Sequence, residues 1–258
     1  MLGDRQAVRV AAGRSGRGLT DLRDTDVSRE LCLHARALAS DTERAWRGGS
    51  VVFTPAAAAV VVQALTLDLI ARPRSRPFGT APAVSLLDDP RLPGAAGSEL
   101  FDLEGALTGR TVLARKGGGA DELVVRRASH EGAAHRLTGH ARRSPRDVTP
   151  LARPANVRLE SDGFQPPDQM SGQLCYDVRG HGTQLTKAGE EITLNLSMAV
   201  VEDGRVIARC PDALLRATAD TLLAAVERVS EPSWFVRSGG LAVAASWMRM
   251  RCDPVPTP

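Results

Sequence analysis

Five histidines, His34, His130, His135, His140 and His181, offer the widest chemistry in this 258-residue chain. The trio His130, His135 and His140 invites a metal site. A spacing of five turns a helical residue by about 140° and puts alternate strand residues on opposite faces. Only an irregular loop would bring three such imidazoles to one ion, so the spacing favours solvent-facing or loop histidines. Cys32 and His34 could pair as nucleophile and base. On a helix they point about 200° away from each other, and Cys32 reads better as a small buried hydrophobe. Asp88-Asp89-Pro90 and Asp102/Glu104 bring carboxylates close in sequence, as general acid–base chemistry requires. Asp-Asp-Pro is more often a turn or a strand end. Gly117-Gly118-Gly119 lacks the strand, lysine and helix of a phosphate loop and reads as a turn. Residue types and spacing alone assemble no active site.

The elements that would position these residues can be read from periodicity and punctuation. Residues 1–23 are rich in Gly and Arg and read as irregular or a strand remnant. Val27, Leu31, Ala35 and Leu38 recur at helical spacing and predict a helix over 26–46, ended by Arg47-Gly48-Gly49. Ser50–Phe53 reads as a short buried strand. Thr54-Pro55 then starts a helix running to about Ala71: a hydroxyl cap precedes a proline whose missing N–H costs nothing in the first turn. Apolar residues surround most of that helix, which predicts a central, buried position. Val84–Leu87, Thr111–Ala114, Leu123–Arg126 and Asn156–Leu159 are short strand candidates between Gly, Pro and Asp clusters. Ile192–Val201 and Arg205–Cys210 flank the hairpin turn Asp203-Gly204. Asp212–Ser230 reads as a helix, with Leu215, Thr218, Leu222, Ala225, Val226 and Val229 on one face, and Leu241–Met250 as a final strand. The fold class expected is α+β, an antiparallel or mixed sheet packed around the 54–71 helix.

Composition narrows the function classes. A net charge of +3, with 3% aromatic residues and a single tyrosine, disfavours nucleic-acid binding, which gathers basic residues on a stripe interleaved with aromatics. Of the 33 basic residues only Lys116 and Lys187 are lysines, a bias that suggests a GC-rich genome. The four cysteines lie singly and read as reduced thiols in a cytoplasmic protein, although the count also allows two disulfides. No apolar run of membrane-spanning length and no secretory leader pattern is visible.

Four segments, in order, carry a family resemblance. SVVFTPAAAAVVVQAL (50–65) resembles the strand and helix that carry the zinc motif HExxxH in TldD proteins. VSLLDDPRLPGAAGSELFDLEGALTGRTVLARKGG (84–118) is similar to the "DDP…PG…G…FD.EG" stretch of the same family. GHARRSPRDVTPLARPANVRLESDG (139–163) looks like its "GtaRR…P.ptN" segment, and residues 170–210 match its Gly-punctuated strands and "xxxGxhi" hairpin. Together they make the chain similar to the TldD/PmbA metallopeptidase family, in a shortened TldE/PmbA-like form: residues 1–49 as an N-terminal remnant, residues 50–258 as the C-terminal domain.

The departures from that pattern decide what the resemblance implies. Gln63 and Asp68 stand where the family has its two zinc histidines, and Ala64 where it has its catalytic glutamate. The family's third ligand, a cysteine in a "CGK" segment, aligns with Ser238-Gly239-Gly240. The expectation is therefore no zinc and no catalytic residue in this chain, with zinc in a TldD-like partner subunit. The mixed complex would trim an amino acid or short peptide from a peptide or natural-product intermediate, in a pathway of the actinomycete lincosamide kind. Strand residues Ser197, Met198, Ala199 and Val200 are candidates for the interface or the substrate wall, against the commoner role of core sheet. A second reading is a stand-alone, metal-free hydrolase using Gln63, Asp68, Asp88 or Asp89 and a histidine, whose turnover would be insensitive to chelators. A third, a DNA- or gyrase-linked modulator, requires salt-dependent DNA retardation.

Overall fold

A computed structural model describes residues 27–46, 48–71, 82–121, 123, 137–143, 149–164, 170–186, 189–232, 234–238 and 241–253. Its centre is the helix expected from the alanine- and valine-rich run. Helix α1 (Val27–Leu38) is followed by strand β1 (Gly49–Phe53) and then by helix α2 (Pro55–Ala71). Ala58 N donates to Thr54 O at 2.8 Å, opening α2 one residue after the threonine. Along α2 only Leu67 and Ala71 are exposed. An apolar surface of that extent has to be covered on more than one side.

Two sheets cover it. The first has seven strands: β1, β7 (Gly172–Thr186), β8 (Gly189–Glu202), β9 (Arg205–Arg209), β10 (Ala213–Ala217), β11 (Val226–Val229) and β14 (Met248–Cys252), ordered β10-β8-β7-β1-β14-β11 with β9 also on β8. The second has five: β2 (Ser85–Asp88), β3 (Thr111–Ala114), β6 (Asn156–Glu160), β12 (Trp234–Ser238) and β13 (Leu241–Ala245), ordered β12-β13-β6-β2-β3. Helix α2 packs against β7 and β1 of the first sheet and against β13 and β6 of the second. Val51, Phe53, Val61, Leu65, Leu86, Val157, Met198 and Val243 belong to this one core. The period of two in β1 turns Val52 to the opposite face, where it joins Leu33, Ala37, Leu174, Tyr176 and Ala199 under α1. A two-stranded pair, β4 (Ala141–Arg142) and β5 (Leu151–Ala152), lies apart. The architecture is α+β and sheet-rich, as expected.

Several boundaries differ from the sequence reading. Helix α1 stops at Leu38 rather than near 46. Beyond it Arg44 N donates to Arg209 O and Arg209 N to Thr42 O, so the chain joins β9 and the polar Ser40-Asp41-Thr42 leaves the helix. The buried face of α1 is Glu30, Leu33 and Ala37, whereas Ala35 is exposed. Cys32 is exposed as well, correcting its assignment as a buried hydrophobe. The helix expected over 212–230 is a strand, a short helix α3 (Ala219–Ala225) and another strand. Leu215, Leu222 and Val226 do share one core, but from three elements rather than one helical face. Strand β10 pairs along β8, Thr218 caps α3, and Val226 begins the ladder on β14, so sheet pairing overrides the local period. The final strand is two: β13 ends at Ala245 in the second sheet, and β14 starts at Met248 in the first. Ser230 pins the crossing, its N–H donating to Trp247 O and its Oγ accepting from Trp247 N. The Leu123–Arg126 strand lies outside the described residues apart from Leu123, as do residues 1–23, His130 and His135.

Glu30 ties α1 to the start of α2. Its Oε1 accepts from Ala56 N at 2.8 Å, satisfying one of the orphan donors of that helix end. Burial raises its pKa, an effect partly offset by the Ala56 and Thr54 hydrogen bonds. Because the folded pKa is the higher one, the folded chain binds this proton more readily between the two values. The group's stabilisation is greatest below the ordinary carboxylate pKa and declines as pH rises through the raised one. Glu30→Gln keeps an oxygen acceptor and removes the charge. In urea melts from pH 4.5 to 8 it should lose that decline and equal or exceed the parent at pH 7, while Glu30→Ala, which also loses the decline, should cost about 1 kcal/mol at pH 4.5 and less at pH 7. A Gln variant clearly weaker than the parent at pH 7 would contradict this account.

Candidate functional site

Gln63, Ala64 and Asp68 lie in the middle and second half of α2, exposed by only 8%, 4% and 4%. Ser238 ends β12 and pairs with Leu241 at the start of β13. Both strands of this hairpin pack on α2, so the fold brings together the elements that carry all four positions. The donor chemistry does not fit a zinc centre: these positions offer one carboxylate and one amide, with neither imidazole nor thiolate, whereas protein zinc sites draw on Cys, His and carboxylates in sets of three or four. Among the described residues no three His, Cys, Asp or Glu side chains are placed to hold a metal ion. At the position matched to the general base, Ala64 has no group to activate water.

Ser197–Val200 sit in the interior of the first sheet. Asp177, Cys175, Leu174 and Gln173 of β7 pair with Ser197, Met198, Ala199 and Val200 in turn. On the other side Arg209 and Ala208 of β9 pair with Ala199 and Val200, and Cys210 N donates to Met198 O. With both backbone edges taken, this strand offers no free edge for an extended peptide. Met198 faces the core and Ala199 the layer under α1. Ser197 is the polar exception. Its Oγ accepts from Arg179 Nη2 at 2.7 Å and donates to Asp212 Oδ1 at 3.0 Å, while Asp212 Oδ2 accepts from the same Nη2 at 2.9 Å. Beside this group the His34 and Tyr176 rings meet at 4.8 Å. Burial lowers the His34 pKa and raises that of Tyr176.

The densest polar arrangement was not anticipated as a unit. Asp88, fully buried, accepts through Oδ1 from Ala155 N at 2.9 Å and Asn156 N at 2.7 Å. Its Oδ2 lies 2.8 Å from His140 Nε2, also fully buried, in a close polar contact off the line of a good hydrogen bond. His140 lies outside helix and strand, as expected of a loop histidine, but it is buried rather than solvent-facing. Asn156 donates to Asp89 O at 2.9 Å and Ser98 Oγ at 2.8 Å, and accepts from Gly97 N at 2.8 Å. Asp102 Oδ1 accepts from Glu104 N and Ala106 N, and its Oδ2 from Ala141 N at 3.0 Å. These carboxylates hold backbone in place, so they are turn and strand-end residues rather than acid–base catalysts. Asp-Asp-Pro points to that turn and strand-end role, but nothing in the sequence joins these residues to His140 and Asn156. Gly139, at φ +72°, allows close approach: a Cβ there would fall on Thr108 Cα and 2.5 Å from Leu107 O.

All four cysteines are free, and Cys32 alone of them is exposed. Burial raises the Cys175 and Cys210 pKa values and pushes Cys252 up to about 12. A thiol reagent at pH 8 should label one cysteine per folded chain, and all four in denaturant. Rapid labelling of a second thiol in the native state would contradict the burial of the other three.

Comparison with known proteins adds the family signal. The PmbA/TldA metallopeptidase C-terminal domain matches residues 49–250. Among solved structures, TldE from Thermococcus kodakarensis superposes with a TM-score of 0.65 at 16% identity, covering 88% of this chain and 54% of that one. A candidate modulator of a DNA gyrase from Thermotoga maritima gives 0.60 at 19% identity, covering 81% of this chain and 50% of the other. One from Bacteroides thetaiotaomicron gives 0.53 at 14%, covering 85% and 49%. The chain therefore spans about half the length of these structures. No curated protein matches it. Among the described residues no helix is long and apolar enough to cross a membrane.

Proposed function

Since this chain belongs to the PmbA/TldD metallopeptidase family through its C-terminal domain, we propose that it is a non-catalytic, metal-free subunit of a heteromeric TldD/TldE-like zinc peptidase. The observation that carries this reading is the composition of the site itself. Helix α2, which resembles the family's zinc helix in sequence, lies buried between two sheets, and the positions that the resemblance matches to zinc ligands and base hold Gln63, Ala64, Asp68 and Ser238. In this reading a TldD-like partner supplies zinc and the base, and the present chain supplies surface and stability. The complex removes an amino acid or short peptide from a peptide or natural-product intermediate. Four free thiols accord with the reducing cytoplasm as its place of action.

Native mass spectrometry with metal counting tests this, on the chain alone and co-expressed with a TldD-type subunit of the same organism. The expected result is a mixed complex with zinc in proportion to the partner, and no zinc on the isolated chain. Stoichiometric zinc on the isolated chain, or chelator-insensitive hydrolysis by it, would overturn the proposal.

A further inference from the structure

The first sheet begins at β10 and ends at β11, and its two ends come back to one place. A hollow of about 590 Å³ is lined by Leu215, Arg216 and Ala217 of β10 on one side and by Glu227 of β11 and Met250 and Arg251 of β14 on the other. Helix α3 joins the two edges and adds Leu222 and Ala224 to the wall. The sheet is thus a barrel left open at one seam. Three successive residues of β10 line the hollow, although neighbours along a strand point to opposite faces. The hollow therefore runs along the edge of the strand rather than beneath one face.

Strand β10 presents that edge bare. Its five residues pair with β8 in unbroken register, and among the described residues no backbone hydrogen bond reaches its other side. Other edges are closed from within the chain. On β3, Asp121 N donates to Val112 O and Asp121 Oδ2 accepts from Val112 N; on β11, Ser161 Oγ accepts from Val229 N. A bare, regular edge without proline or bulge is a template for another extended chain. The rim does not select by charge, since Arg216, Arg251, Glu227 and Asp253 bring two charges of each sign. The volume is that of a small-ligand site, and five residues of strand span about 17 Å. A second copy of this chain would have to bring a whole sheet to an edge walled by α3 and β14, whereas a single extended segment enters alone. Residues 254–258, which follow β14, have proline at 254, 256 and 258, and proline cannot donate to a ladder.

We propose that the seam between β10 and β11 binds an extended peptide of about five residues as an added strand on β10, held by main-chain hydrogen bonds. Gln63, Ala64 and Asp68 do not line this hollow. The site belongs to this chain alone and stands whether or not a zinc-bearing partner exists.

The test titrates the isolated chain with a fluorescein-labelled heptapeptide of alternating Thr and Val, followed by anisotropy, and maps the complex by amide hydrogen exchange. Binding should saturate at one peptide per chain, and the amides of residues 213–217 should exchange more slowly in the complex. The same peptide N-methylated at every residue has lost its backbone donors and should bind roughly tenfold more weakly or worse. Ala224→Trp fills the hollow and should weaken binding by a similar factor, whereas Arg36→Ser, on the exposed face of α1, should leave it unchanged. The melting temperature of each variant separates a blocked site from lost folding; if Ala224→Trp does not fold, the N-methylated peptide and the exchange map still decide. No binding, equal binding of the N-methylated peptide, or protection that falls outside 213–217 overturns the assignment. Protection of 213–217 that grows with protein concentration in the absence of peptide assigns the edge to a second copy, and overturns it as well. Because the isolated chain is measured, none of these outcomes bears on the heteromer reading.

Discussion

Asp88→Ala should destabilise the folded chain by about 3–5 kcal/mol, the cost of orphaning two buried backbone donors at roughly 1–3 kcal/mol each. Two backbone donors lose their acceptor together, the N–H groups of Ala155 and Asn156, and the His140 imidazole loses the carboxylate oxygen 2.8 Å away. None can turn to water, because the site is closed on all sides, and an orphaned buried donor retains its full desolvation cost. The expected readout is a fall in Tm of roughly 10 °C. Asp88→Asn keeps an oxygen for both backbone donors and surrenders only the charge facing His140, so it should lose less than the alanine variant. Equal losses would show that the backbone bonds contribute little. A Tm within a degree or two of the parent for Asp88→Ala would refute the account of this site.

Gly139→Ala should be nearly as damaging, for a steric reason. The residue sits at φ +72°, and its Cβ would have to displace the backbone of Leu107 and Thr108. Backbone cannot swing aside as a flexible side chain can, so we expect a loss of roughly 3 kcal/mol, the upper end for overpacking. Gly117→Ala is the matched control. It has φ +81° and nothing within 4 Å of the added carbon, so it should cost only the positive-φ penalty of about 1 kcal/mol. The difference between the two melting temperatures isolates the close approach. Similar values would mean that the loop carrying Leu107 yields easily.

Much of this architecture was legible where one residue type answers one local demand. Thr54-Pro55 marks a helix start, and the unbroken apolar run behind it allows only a central position. Asp203 and Gly204, at φ 48° and 74°, adopt the turn their types predict. The reading failed where distant partners decide the outcome. Leu215, Leu222 and Val226 have helical spacing, yet the open flanks of β8 and β14 draw their neighbours into strands. The Asp88–His140–Asn156 arrangement was invisible as a unit because its members lie far apart in the chain, and nothing in a single sequence says which buried carboxylate meets which imidazole. The four positions on α2 and β12 were legible only through the family resemblance. By composition, Gln63 and Asp68 look like ordinary polar interruptions of an apolar helix.

The position of β1 has a consequence for the order in which this chain folds. Val51 pairs with Gln173 on one side and with Met250 on the other, so an early strand is completed by the middle and the last of the described strands. Contacts of such long range are slow to form, since the loops they close must be ordered first. Until Met248–Cys252 has been synthesised, the first sheet cannot close, and α2, greasy on nearly every side, waits without its full cover. The nascent chain therefore passes through a long interval in which its stickiest segment is available to chaperones, to other chains and to misfolding.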